Sequence, residues 1–120
     1  MDNERKELFR QKLNSMITEL EEEVSSTLDQ MKTGATAYPD PTDRATLEAD
    51  RNLELRIRDR ERKLKKKIQE ALERLDADTF GICEVCEEEI GHERLLARPV
   101  TTLCINCKAE QEQEEEQHGV

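Results

Sequence analysis

Four cysteines, arranged as Cys83-Glu-Val-Cys86 and Cys104-Ile-Asn-Cys107, constrain this chain more than any other feature, and it has no others. Two C-x-x-C knuckles separated by 17 residues have the spacing of a four-thiolate zinc site. Each knuckle turns two sulfurs toward one point, and the intervening loop is long enough to bring the pairs together. Zn2+ held tetrahedrally by four thiolates, at roughly 2.3 Å from each sulfur, has no position left for an activated water. The expected cofactor is therefore one structural zinc ion on Cys83, Cys86, Cys104 and Cys107, and any chemistry must lie elsewhere. His92 falls between the pairs, but four thiolates complete the metal's shell without it. His118 reads as a solvated tail residue.

The rival use of four cysteines is disulfide bonding, which belongs to oxidising compartments. The start of the chain, Met-Asp-Asn-Glu-Arg-Lys-Glu, is charged and offers no apolar signal segment, and no run approaches a membrane span. A cytoplasmic protein with reduced thiols is the expectation. A thioredoxin-like redox pair would need a βαβ context that is missing here. With 120 residues, two Phe, one Tyr, no Trp and 40% charged residues, the chain is short of material for a conventional core. A helical array with a metal-stapled module suits it better.

Hydrophobic periodicity supplies that array. Leu13, Ile17, Leu20, Val24, Leu28 and Met31 recur at helical steps and predict one helix over 5–33, with Gly34 as its C′ residue. Leu53, Ile57, Leu64, Ile68, Ala71 and Leu75 predict a second over 41–76, interrupted at one seam position by Glu61. Neither stripe can be left in water, so the helices are expected to fold back as a long antiparallel two-helix coiled-coil hairpin. The seam is thin toward the turn, where Thr46 and Asp50 take core-like positions. Pro39 and Pro41 stop the first helix, and Asp40-Pro-Thr-Asp43 starts the second, with Asp40 as N-cap and Pro41 at N1. The expected organisation is a hairpin at 1–76 with its tip at 34–45, a four-cysteine zinc-finger module at 77–108, and an acidic helix end or tail at 109–120. Leu95 to Leu103 suggests a short β-hairpin broken by Pro99, and a short terminal helix starts near Cys104. The fold class is mainly α.

Charge is unevenly spread. Residues 51–67 carry nine basic and three acidic groups, a local +6 that leaves −16 on the remainder of a chain whose net charge is −10. Such an island is either a solvated helix face or a docking surface for anions. Residues 76–108 hold seven acidic and three basic groups, so phosphate contact by the zinc module is disfavoured and duplex DNA is not its expected ligand. Capping alone accounts for Asp40, and the helix dipole accounts for Asp43. An elongated hairpin with two acids at its end is equally suited to entering a cleft beside a bound cation.

Taken together, several stretches resemble the DksA/TraR family of bacteria. They are Tyr38-Pro-Asp-Pro-Thr-Asp-Arg-Ala45, Glu54-Leu-Arg-Ile-Arg-Asp-Arg-Glu-Arg-Lys-Leu64, Phe80-Gly-Ile-Cys83, Ala97-Arg98-Pro99 and Leu103-Cys-Ile-Asn-Cys-Lys108. The resemblance runs from about Leu8 to Lys108. It implies a non-enzymatic transcription regulator that binds RNA polymerase, inserts its coiled coil into the secondary channel and alters promoter complexes with guanosine tetraphosphate in the stringent response. By position it implies Asp40, Asp43 and Ala45 as tip residues, Arg60 as a contact to the polymerase rim, and Lys67, Arg98 and Lys108 as the alarmone site. A compact polyphosphate does require several converging cations. The chain begins close to its first helix, where many members of that family carry a longer N-terminal segment, so altered packing of the zinc module is expected. The acidic tail is poorly matched.

Two other functions compete. The tip acids could hold a Mg2+ in the polymerase active site and promote transcript cleavage, as Gre-type factors do, or the chain could be a structural coiled-coil or zinc adaptor. An intramolecular hairpin favours a monomer.

Overall fold

The computed structural model describes residues 1–35 and 42–117, with side chains described in those ranges except at 33–35 and 42–44. Four helices follow one another: α1 (Asn3–Ala35), α2 (Thr42–Asp76), α3 (His92–Ala97) and α4 (Ile105–Gln117). The chain is mainly helical, as its periodicity requires, and it divides into two compact units, residues 14–67 and residues 1–13 with 68–120.

In the first unit α1 and α2 run antiparallel. Val24 and Leu28 are buried, while Ile17, Leu20 and Met31 are half-buried on the same stripe. On α2 the inward positions are Asp50, Glu54, Ile57, Glu61 and Leu64, which continues the 3–4 alternation of Ile68, Ala71 and Leu75 backward along the helix. Leu53 therefore lies one residue off the seam and is 45% exposed, and Leu55 is 58% exposed. The helix period, fixed by the buried apolar stripe in the C-terminal half of α2, overrides residue type toward Asp50. Glu61 is tolerated at the seam because Lys65 sits one turn on, 3.5 Å away, and also reaches Glu21 of α1 at 2.9 Å. The hydrogen bond to Glu21 raises the Lys65 pKa against partial desolvation, and Glu61 adds to the rise.

The second unit is built from the beginning of α1, the end of α2 and the cysteine-bearing segment. Asp2 caps α1, its carboxylate accepting the Arg5 backbone N–H at 2.8 Å. Phe9 and Leu13 of α1, Ile68, Ala71 and Leu75 of α2, and Phe80, Cys83, Ile90 and Leu95 form the core. The Phe9 and Phe80 rings lie 5.0 Å apart at a tilt of 52°, a favourable offset geometry. The end of α2 is closed by Thr79 and Phe80, whose backbone N–H groups both donate to the Arg74 carbonyl at 2.9 and 3.1 Å. Arg10 donates to Asp76 at 2.9 Å and to Glu7 at 3.0 Å, Lys6 pairs with Asp78, and the Lys12 ammonium donates to the Leu96 carbonyl.

Two further expectations from the sequence are corrected. The first helix does not end at Gly34 but continues to Ala35; glycine costs a helix about 1 kcal/mol relative to alanine without terminating it. Residues 95–97, expected to open a β-hairpin over 95–103, belong instead to α3, because Glu-Arg-Leu-Leu-Ala is a run of good helix formers closed by Pro99. Pairing falls instead on Ile82 and Glu89, as a single antiparallel bridge. The short terminal helix expected near Cys104 is present as α4 and carries the acidic residues after Cys107 through Gln117, since Glu, Gln, Lys and Ala all favour a helix. Asp40 and Pro41, assigned to the start of the second helix, lie outside the described residues.

Candidate functional site

The first knuckle is a tight backbone construction. The Ile90 N–H donates to the Gly81 carbonyl at 2.7 Å, Cys83 N–H to the Glu88 carbonyl at 2.8 Å, and Glu87 N–H back to the Cys83 carbonyl at 3.0 Å. Gly81 has a φ of +80°, and a Cβ there would lie 3.2 Å from Leu95 Cδ1 and 3.3 Å from Met1 Cε, so both conformation and space call for glycine. Glu87 also has positive φ, at 62°.

The second knuckle sits at the start of α4. Lys108 N–H donates to the Cys104 carbonyl at 3.0 Å, and Cys107 N–H approaches the Cys104 Sγ at 3.4 Å. Glu84 N–H donates to the Thr102 carbonyl at 2.9 Å, tying one knuckle to the other. Arg94 Nε and Thr101 Oγ1 both donate to the Leu103 carbonyl, at 3.0 and 3.1 Å, which fixes the approach to Cys104.

These bonds bring the sulfurs of Cys83, Cys86, Cys104 and Cys107 within 4.8 Å of one another. Cys86 and Cys104 are 3.7 Å apart. A tetrahedron of sulfurs at the zinc–thiolate distance has edges of about 3.8 Å, whereas a disulfide requires about 2.0 Å. The donor set fits one structural Zn2+ and rules out the disulfide reading for this pair. Backbone N–H groups of Cys86, then Cys104, lower the Cys83 thiol pKa to about 6 despite its burial. Cys107 and Cys86 move the other way. The Cys104 thiol, then burial, raises Cys107. At Cys86 the Glu88 N–H pulls down but burial and the neighbouring thiols outweigh it.

His92 is outside this cluster. Its Nδ1 lies 2.9 Å from Arg5 Nε and 2.6 Å from Arg5 Nη2, and its ring meets Phe9 edge-on at 5.9 Å. The remaining sequence-derived residues are spread over both units. Asp43 lies in the first turn of α2, and Asp40 is beyond the described residues. Ala45, Arg60 and Lys67 are exposed on α2 within residues 14–67, and Arg98 is exposed just after α3. Lys108 is half-buried in α4 and donates to Gln111 Oε1 at 3.1 Å. Sequence reasoning missed Arg5, Lys6, Phe9 and Lys12 as partners of the cysteine-bearing segment. Phe9, four residues before Leu13, continues the apolar stripe and was the available signal.

Comparison with known proteins places both parts. Residues 5–75 match the family model of the DnaK suppressor protein DksA, N-terminal domain, and residues 78–113 match the prokaryotic dksA/traR C4-type zinc finger. The RNA polymerase-binding transcription factor DksA of Haemophilus influenzae is 52% identical over 109 residues, which is 91% of this chain and 75% of that protein. Its namesake in Escherichia coli K12 is 48% identical over 109 residues, 91% of this chain and 72% of that one. Among solved structures, transcription factor DksA2 from Pseudomonas aeruginosa superposes with a TM-score of 0.82 at 37% identity, covering 96% of this chain and 88% of the other. With one match spanning the paired long helices and the other the cysteine knuckles, the chain belongs to the DksA family.

Proposed function

We propose that this protein binds RNA polymerase and regulates transcription without catalysing a reaction itself. The observation that carries the reading is the 52% identity to an RNA polymerase-binding transcription factor over 91% of the chain. The surface supports it: Arg51, Arg56, Arg58, Arg60, Arg62, Lys63, Lys66 and Lys67 are exposed on α2, a cationic face able to steer docking onto an acidic partner. A zinc held by four thiolates has no open coordination position, which argues for a scaffolding role rather than hydrolysis. The acidic balance of residues 76–108 argues against duplex DNA as a direct ligand.

In the finer reading the paired helices enter the secondary channel, and Asp40, Asp43 and Ala45 approach the polymerase active site. Arg60 contacts the channel rim. Lys67, Arg98 and Lys108 supply this protein's share of a guanosine tetraphosphate site at the interface. The protein acts in the cytoplasm as a monomer. Purified protein added to polymerase on a stable-RNA promoter is expected to shorten open-complex lifetime, and more so with the alarmone. Lys67→Ala should remove the alarmone-dependent increment alone. The Asp40→Asn, Asp43→Asn double variant should bind polymerase with parental affinity yet leave the lifetime unchanged; parental behaviour at equal occupancy would refute the tip assignment. RNA shortening in backtracked complexes would instead favour the Gre-like alternative.

A further inference from the structure

The unit formed by residues 1–13 and 68–120 contains a cavity of about 650 Å3 that no part of the proposed polymerase interaction uses. It opens between the first turns of α1, the end of α2 and the Gly81–His92 segment. Its size falls within the roughly 300–1,000 Å3 range of small-molecule sites. Phe80, Ile90 and Leu95 form a buried floor, while Met1 and Ile82, 45% and 41% exposed, supply accessible apolar wall. The ideal Cβ position at Gly91 meets nothing within 4 Å, so the backbone borders open space there.

Charge selects among ligands. Of the cationic side chains on the lining, Lys6 is already neutralised by Asp78. The Arg5 guanidinium meets no carboxylate among the described residues; its Nε and Nη2 converge instead on His92 Nδ1. A guanidinium carries five donors in a fork that matches a carboxylate, so most of Arg5's capacity remains unspent beside the cavity. Glu89 lines the same cavity and forms no ion pair among the described residues. With Lys6 and Asp78 cancelling each other, the lining side chains offer one cation, Arg5, and one carboxylate, Glu89, and no surplus of positive charge to hold a polyphosphate. A simple apolar acid would leave Glu89 opposed to it. A ligand with one carboxylate, one ammonium and an apolar group satisfies all three features together.

We infer that this cavity is a binding site for an apolar α-amino acid, with its carboxylate on Arg5, its ammonium on Glu89 and its side chain against Met1 and Ile82. None of Lys67, Arg98 and Lys108 lines it, so the site is separate from the proposed alarmone contacts. Occupancy would tie α1 to the first knuckle through a ligand.

The test is a titration of the zinc-loaded 120-residue chain with L-phenylalanine, phenylacetate and phenethylamine, followed by amide chemical shifts. Fragment-sized ligands of this kind bind in the millimolar range. Saturable shifts at Arg5, Gly81, Glu89 and Gly91 are expected with phenylalanine, and at least tenfold weaker binding with either single-charge probe. Arg5→Gln should abolish the advantage of phenylalanine over phenethylamine, and Glu89→Gln its advantage over phenylacetate. Both side chains are accessible to solvent, so unchanged zinc content and helicity verify the fold. Equal binding of all three probes, shifts scattered away from the cavity, or no saturation with phenylalanine would each overturn the proposal. Because polymerase is absent from the experiment, its outcome leaves the transcriptional reading untouched.

Discussion

Phe9, in the zinc-bearing unit, is the largest fully buried side chain among the described residues. It is fully buried, packs at a tilt against Phe80 and meets His92 in an edge-to-face contact. Phe9→Ala is expected to cost about 3–5 kcal/mol, measurable by denaturant unfolding followed through amides of residues 80–95; a loss below about 1 kcal/mol would mean the ring is not a core residue. At Gly81, alanine would meet both a positive φ and the Leu95 side chain. Gly81→Ala should destabilise the same unit by at least about 1 kcal/mol, read from the same unfolding curve. Among the cysteines, the sign of the pH effect follows from the need for thiolates. Affinity for zinc rises with pH, and its pH dependence steepens below about 6, where Cys83 is also protonated in the metal-free protein. Competition against a chelator, corrected for the chelator's own protons, should show zinc held at least about tenfold more weakly near pH 5.5 than near pH 7.5.

At the scale of elements, the seam of α2 carries an avoidable weakness. Glu61 has 18% side-chain exposure, and its partner Lys65 keeps a second carboxylate in Glu21. Glu61→Leu would add apolar burial at a core position without stranding Lys65, and should stabilise the paired helices by about 1 kcal/mol. Thermal unfolding of the variant tests this, and a lowered midpoint would contradict it. The same seam shows how far the sequence could be read. The existence of both long helices was visible because Leu13 to Met31 and Ile57 to Leu75 repeat without ambiguity. Leu53 was misplaced because residue type pointed inward while the period, extended from the apolar end, pointed to Glu54. Helix α3 was hidden by brevity: six residues between Gly91 and Arg98 hold too few apolar positions to separate a helical period from an alternating one. The cysteine site was legible in full, since a ligand set written as two short motifs needs no tertiary inference. Arg5 and His92, 87 positions apart, leave no local signature of their meeting.

For the molecule as a whole, the metal and the paired helices should separate under chelation. Removing zinc is expected to release amide protection around Cys83, Ile90 and Leu95 while leaving most far-ultraviolet helicity, because α1 and α2, with 33 and 35 residues, dominate that signal. Complete loss of helicity would show instead that the paired helices depend on the ion. The partition of the chain also has a temporal meaning. Phe9 and Leu13 share one core with residues from Ile68 onward, so these two side chains have to wait for segments made later before they can be enclosed. At roughly 5–20 residues per second of synthesis, the interval between Leu13 and Cys107 is about 5–19 s. During that wait Phe9 is uncovered, and the last thiolate needed to close the metal's shell has not yet been made. Metal capture thus has to follow the synthesis of Cys107, and a nascent chain stalled before Cys104 would leave Phe9 open to aggregation and proteolysis.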